Sequence, residues 1–278
     1  MTWVGRTFRA SYKFVLFIFY VTAYLSISYL GRLYFRSERK RREFHARTVT
    51  FVVSRGCKML NIRRRYINVP SAEKSFLLVG NHLGFLDILV LASLRPTLFV
   101  TSMEMRETPL LGLLCEMGGC LFVERRNRLR ILTEMEEIRS ALKDGFSVAL
   151  YPEGTSGDGS RVLPFKKSLL MAAAETGVPI KAMVINYRKI NGEPMDHRWR
   201  DYVCWYGDLA FLPAIWRLFQ LKSIDVDLSF HDEIHLTPDH DRRKVAALVQ
   251  GIIEMHYDPI PFPEGEAIKP AGKIKESN

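Results

Sequence analysis

Cysteine is scarce and unpatterned in this chain of 278 residues: Cys57, Cys115, Cys120 and Cys204 form no C-x-x-C pair and no regular framework. That argues against a disulfide-stapled scaffold and a structural zinc site, and it fits reduced thiols in a cytosolic setting. Acidic residues are nearly missing from the N-terminal quarter. Residues 1–66 hold fifteen Lys and Arg against Glu38 and Glu43 alone, whereas the remainder holds twenty-five against twenty-eight. All of the net charge of +10 is therefore N-terminal. Charge of either sign is missing altogether between Lys13 and Arg32, across the eighteen residues FVLFIFYVTAYLSISYLG. No Gly-Lys-Ser/Thr ending follows the glycine-rich stretch near residue 154, which disfavours a nucleotide P-loop.

Eighteen helical residues span about 27 Å against a bilayer hydrocarbon core of about 30 Å, so the uncharged run is of membrane length. It leads directly into RLYFRSERKRR with no clear cleavage site, so it reads as a retained segment rather than a signal peptide. Arg36, Arg39, Lys40, Arg41 and Arg42 would then lie at the level of lipid phosphates and face the cytoplasm. The same run makes nucleic acid a poor partner for the basic segment. Residues 43–60 read as a second, amphipathic helix on the membrane surface. The chain divides into membrane-anchoring helices over 1–65, a catalytic domain over 66–260 and a loose tail over 261–278. The protein is expected at a membrane, the inner one in a bacterium, with its catalytic domain on the cytoplasmic side.

From Tyr66 short apolar runs alternate with helical periods, the pattern of an α/β domain. Strands are expected at Tyr66–Val69, Phe76–Val79, Thr97–Thr101, Cys120–Val123, Ser147–Tyr151, Ile180–Asn186, Tyr202–Trp205 and Asp225–Phe230. Leu129–Leu142 and Arg243–Met255 carry helical spacing. With 47% hydrophobic residues the chain can bury a full core.

Two segments carry chemistry. The first is Gly80-Asn81-His82-Leu83-Gly84-Phe85-Leu86-Asp87, placed after an expected strand. Five residues are about 1.4 turns of helix, so a fully regular helix would point His82 and Asp87 apart. With His82 in the turn and Asp87 in the helix, the carboxylate can fold back, set the imidazole tautomer and stabilise its protonated form. Such a histidine can take the proton of a hydroxyl as it attacks a thioester. The second is Tyr151-Pro152-Glu153-Gly154-Thr155-Ser156, followed by Pro164-Phe165-Lys166-Lys167, where glycine-rich backbone can approach a ligand closely.

Together these segments resemble the glycerolipid acyltransferase family, whose best-known members acylate lysophosphatidic acid. The family motifs H-x-x-x-x-D, G-x-x-F-[IV]-[DE]-R, [FY]-P-E-G-T with P-F-K, and V-P-I match His82–Asp87, Gly119–Arg125, Tyr151–Thr155 with Pro164–Lys166, and Val178–Ile180. The resemblance covers residues 75–190 in order and spacing, and it implies a mixed sheet flanked by helices, with N-terminal membrane-binding helices. It further implies that His82 is a general base oriented by Asp87. Asn81, Glu153, Gly154, Thr155, Ser156, Arg161 and Lys166 would shape the substrate site, and Arg125 would add positive charge near the head group. The donor would be acyl-carrier protein or coenzyme A thioester as co-substrate, with no other cofactor and no metal. The default acceptor would be 1-acyl-glycerol-3-phosphate, giving phosphatidic acid.

Two positions depart from the phosphate-acceptor members, with Ser156 where Arg is usual and Ser102 where Lys is common. Each charge-assisted phosphate contact is worth about 1.5–3 kcal/mol, so the departures weaken the case for lysophosphatidic acid specifically, unless Arg161, Lys166 or Lys167 substitutes. The stretches EGTSGDGSRVLPFKKS and WYGDLAFLPAIWRL look more like the subgroup that includes lyso-ornithine-lipid acyltransferases. A non-catalytic module that binds anionic lipid is the reading from another class, and intact His82, Asp87 and Glu153 argue against it. His231 and His235, in HDEIH, follow a strand-like alternation and have no evident third ligand, so metal binding is not expected there.

Overall fold

The computed structural model describes residues 3–124 and 131–262. Its N-terminal part is a helical hairpin, α1 (Trp3–Tyr34) and α2 (Glu38–Leu60). The two run antiparallel. Lys13 near the start of α1 donates to the carbonyl of Leu60 at the end of α2, and Gly31 near the end of α1 leaves room for the Phe44 ring. Among the described residues α1 is the one helix long and apolar enough to cross a membrane. Phe8, Val15, Phe19, Leu30 and Leu33 stand exposed along it, while Ala10, Lys13, Tyr24, Ser28 and Gly31 face the protein. Asn61, in the left-handed region at φ 56°, stops α2 and turns the chain into the sheet.

The remaining elements follow in chain order: β1 (Ile62–Ile67), β2 (Leu77–Gly80), α3 (Phe85–Ala92), β3 (Leu98–Ser102), α4 (Met103–Glu107), α5 (Leu111–Met117), β4 (Leu121–Val123), α6 (Ile131–Lys143), β5 (Val148–Leu150), β6 (Ile180–Ile190), β7 (Glu193–Pro194), α7 (Arg200–Val203), α8 (Phe211–Phe219), β8 (Ile224–Ile234) and α9 (Arg242–His256). The sheet order is β1-β8-β6-β2-β5-β3-β4, with β7 paired to β6. Neighbours from β6 to β4 are parallel, and β8 joins β6 antiparallel. β2 lies at the centre, and Leu77, Leu78 and Val79 are fully buried, as expected for a strand covered on both faces.

The fold is the expected mixed sheet flanked by helices, with three local differences. The first strand begins at Ile62, not Tyr66, so the expected boundary at residue 65 falls inside it. Arg63, Arg64 and Arg65 hid it, because a run of three cations masks the alternation. In the sheet Arg63 and Arg65 stand opposite Asp225 and Asp227 of β8 and pair with them, so cross-strand charge takes the place of apolar patterning. Tyr202–Trp205 is not a strand. Asp196 caps a 3₁₀ turn that runs into α7, and Trp205 N–H donates to Leu83 O at 2.7 Å rather than to a neighbouring strand. The tail is tied down at its start, where Pro261 O accepts from His197 N–H and Arg200 lies over the Phe262 ring. Residues 263–278 lie outside the described residues, as do Leu129 and Arg130 at the start of the expected Leu129–Leu142 helix.

Lys13 ties the hairpin to the domain. Its ammonium is 5% exposed and donates to Leu221 O at 2.7 Å, just beyond α8, and to Leu60 O at 3.4 Å. A cation at the carbonyl ends of two helices is favourable for both. Lys13→Met keeps the stem but leaves both carbonyls without this donor, and should lower stability by about 1–3 kcal/mol. Thermal melting of the detergent-solubilised protein measures the loss. An unchanged melting temperature would show that the contact does not hold the hairpin.

Candidate active site

The site forms where two adjacent parallel strands, β2 and β5, release their chains at the same edge of the sheet. A rigid strand end is a good place to fix a reactive loop. Asn81 continues β2 with its side chain, which accepts from Ile185 N–H at 2.9 Å and donates to Ile185 O at 3.1 Å on β6. Its polar atoms are thus committed to the sheet, and the next residue, His82, turns away from it. Gly84 allows the loop to pass under the 204–206 segment, since a Cβ there would lie 2.9 Å from Trp205 N.

Asp87 is the third residue of α3 and 1% exposed, whereas the His82 side chain is 20% exposed. His82 Nδ1 lies 3.0 Å from Asp87 Oδ2. The same oxygen accepts from Leu83 N–H at 2.5 Å and Gly84 N–H at 2.9 Å, and Oδ1 accepts from Tyr187 Oη at 2.7 Å. With Nδ1 donating to a carboxylate, the Nε2 lone pair is the one presented outward. The Tyr151 ring stacks on the imidazole at 4.4 Å and 18°. Burial, then the Asp87 charge, push the phenols of Tyr151 and Tyr187 well above their ordinary range, so both remain neutral donors.

Glu153 joins the two loops. Its Oε1 accepts from His82 N–H at 2.7 Å and its Oε2 from Leu163 N–H at 2.8 Å, so one carboxyl group spans the histidine loop and the return of the second loop. Gly157 N–H adds a bond to His82 O at 2.8 Å. Gly154 has φ +75°, a backbone glycine adopts readily, and the Lys166 side chain lies across the space its Cβ would fill. Thr155, Arg161 and Lys166 are exposed around this loop. The Ser156 hydroxyl donates to Trp205 O. Ser102 caps α4, accepting from Met105 N–H at 3.4 Å. Both serines are thus engaged with backbone. Arg125 lies outside the described residues.

An apolar cavity of about 270 Å³ opens between the hairpin and the domain, lined by Phe17, Val21, Val53, Phe85, Phe211 and Phe219 among others. Phe85 begins α3, three residues after His82, and packs with Trp205 and Phe211 at ring distances of 6.1 and 5.6 Å. His231 lies in β8 with its ring 3.9 Å from that of His256, and no group of three or more metal-binding side chains occurs among the described residues.

The sequence motifs locate His82, Asp87 and Glu153, which the fold brings together. Tyr151 sits inside a quoted motif, but only the structure shows its stacking on His82. Tyr187 is 100 residues from Asp87, and Trp205 reaches the site from a segment read as a strand. No local spacing links either to the histidine; their aromatic character beside short buried runs is the one signal they carry.

The acyltransferase family model matches residues 61–186. A lyso-ornithine lipid O-acyltransferase of Rhizobium meliloti is 32% identical over 69% of the chain and 68% of its own length. A 1-acyl-sn-glycerol-3-phosphate acyltransferase of Neisseria gonorrhoeae is 26% identical over 58% of the chain and 61% of its own. The crystal structure of the 1-acyl-sn-glycerophosphate acyltransferase of Thermotoga maritima shares the fold, with a TM-score of 0.64 over 91% of this chain and 94% of that one at 18% identity.

Burial pushes the Glu153 carboxyl up to about 8, and the Leu163 and His82 N–H groups act in the opposite direction. A carboxyl raised above its unfolded value stabilises the fold most below that value, and the contribution is lost as pH rises toward 8. Wild-type stability should therefore fall between pH 5 and 8. Glu153→Gln should flatten that slope, and it should lower stability at pH 5 by about 1–3 kcal/mol because its amide nitrogen faces a backbone donor. Denaturant titrations at the two pH values test both effects, and an equal slope in the variant would contradict the assignment.

Proposed function

The chain belongs to the acyltransferase family, and from that premise we propose that His82 is the general base that moves an acyl group from a thioester to a lysolipid hydroxyl. That it is an O-acyltransferase acting on a lysolipid follows from the family. The base assignment rests above all on the 3.0 Å contact of His82 Nδ1 with Asp87 Oδ2, inside a carboxylate otherwise satisfied by three donors.

The acceptor hydroxyl gives its proton to His82 Nε2 as its oxygen attacks the thioester carbonyl. Asp87 balances the imidazolium that forms. Collapse of the tetrahedral intermediate expels the thiolate, which takes the proton back from His82 and leaves as thiol. The products are the diacyl lipid and free acyl-carrier protein or coenzyme A. The apolar cavity beginning at Phe85 supplies a water-poor channel for an acyl chain. The exposed apolar side of α1 and the basic run Arg36–Arg42 supply two membrane-binding signals. The packing of α1 on α2, α5 and α8 supports a hairpin that lies along the lipid surface, with the site at the interface.

For the acceptor, Ser102 and Ser156 favour a head group that is not a phosphate monoester, of the lyso-ornithine lipid kind. Neither adds a cation, and both hydroxyl groups are held by backbone. 1-Acyl-glycerol-3-phosphate is the second reading, favoured by the exposed cations Arg161 and Lys166 on the adjoining loop.

His82→Ala should lower turnover by about 10²–10⁴-fold with an unchanged circular dichroism spectrum. Asp87→Asn should be severely impaired as well and less stable, since its amide would face donors. Near-normal turnover by folded His82→Ala protein would exclude the mechanism.

Acceptor choice is a separate measurement. With a fixed donor, kcat/KM should be higher for a lyso-ornithine lipid than for 1-acyl-glycerol-3-phosphate. Ser156→Arg should improve the phosphate acceptor by about tenfold, the value of a single charge-assisted bond of about 1.4 kcal/mol. A wild type that strongly prefers the phosphate acceptor would reverse the order of the two readings.

A further inference from the structure

Of the four donors on Asp87, three belong to its own loop and the fourth comes from β6. Tyr187 is 7% exposed and directs Oη at Asp87 Oδ1, 2.7 Å away, on the oxygen that does not face the histidine. We propose that Tyr187 is a positioning residue for acyl transfer, holding Asp87 so that Oδ2 alone serves His82. The proposal rests on the reading of His82 as the base.

A carboxylate is symmetric and turns about its Cβ–Cγ bond unless each oxygen has its own partners. Leu83 N–H, Gly84 N–H and His82 Nδ1 fix one oxygen from the loop side, where a small shift of the loop would move all three together. Tyr187 fixes the other from the sheet. Its anchor is the pairing of β6 with β2, where Gly80 stands opposite Met183 and the Asn81 side chain bonds to both backbone groups of Ile185. The carboxylate is thereby referenced to the central strand pair and not only to its own loop.

The hydroxyl also draws off part of the carboxylate's charge. Without it, that charge bears undiluted on the imidazole, and the protonated ring persists to higher pH. The other titratable groups that face Asp87 are Tyr151, Glu153, Cys204 and Tyr257. They are common to wild type and variant, so a difference between the two profiles reports on Tyr187.

The test is Tyr187→Phe in the full-length, detergent-solubilised enzyme, which keeps the ring and removes one oxygen. Acyl transfer is followed across pH with a saturating thioester donor and varied lysolipid. The expected result is a fall in kcat of about tenfold to hundredfold with little change in acceptor KM, as for one lost bond to a charged group. The acid limb of the kcat profile should also move to higher pH by about half a unit or more. In an Asp87→Asn background the same change should cost less than about twofold, because the carboxylate charge that Tyr187 steadies is gone. An unmoved acid limb, or the full loss retained in the Asp87→Asn background, overturns the proposal and makes Tyr187 a packing residue. His82→Ala separates the two levels. An inactive His82→Ala with an unmoved limb removes only the role of Tyr187, whereas an active one removes the base assignment and this proposal together.

Discussion

A carboxylate 1% exposed to solvent is the constraint on which the site depends. Burying such a charge is strongly unfavourable unless hydrogen-bond donors replace its water. Asp87 meets this with two backbone N–H groups, a histidine and a tyrosine, drawn from the turn after β2 and from β6. Each donor is held in turn. The turn is clamped by Glu153 on His82 N–H and by Trp205 N–H on Leu83 O, and the tyrosine is held by the sheet. A local requirement for charge satisfaction thus reaches into the order of the central strands.

The same logic accounts for Glu153. A carboxyl pushed up to about 8 by burial is a poor choice for a surface ion pair, but it suits a bracket between two backbone N–H groups. Its role in the geometry is to join loops that follow neighbouring strands, which makes the two sequence motifs parts of a single structure. On the opposite flank, Lys13 does for the helical hairpin what Glu153 does for the loops, satisfying carbonyls at the ends of two helices with one side chain.

How much of this is legible in the sequence depends on range. The His82–Asp87 relation is local, and the five-residue spacing already requires a turn followed by a helix. The parallel core strands are legible because burial on both faces makes them continuous apolar runs. β1 is not, since two of its three arginines, Arg63 and Arg65, find their partners on β8, far along the chain at Asp225 and Asp227. Tyr202–Trp205 has the composition of a strand, yet a capped turn at Asp196 and the bond from Trp205 to the histidine loop decide its form. Tyr187 is the clearest case. It reads as one more aromatic residue in a buried strand, and its contact with Asp87 exists only because β6 lies beside β2.

The imidazole has its Nδ1 edge on Asp87 and one face on Tyr151. On the reading of His82 as the base, so engaged a ring discriminates poorly between one lysolipid hydroxyl and another. On that reading selectivity falls to what surrounds the histidine: the Glu153–Lys166 loop, the aromatic group of Phe85, Trp205 and Phe211, and the hairpin beyond it. On the proposed reading, a serine held by Trp205 O at position 156 alters the charge offered to the acceptor while the contacts among His82, Asp87 and Glu153 stay as they are.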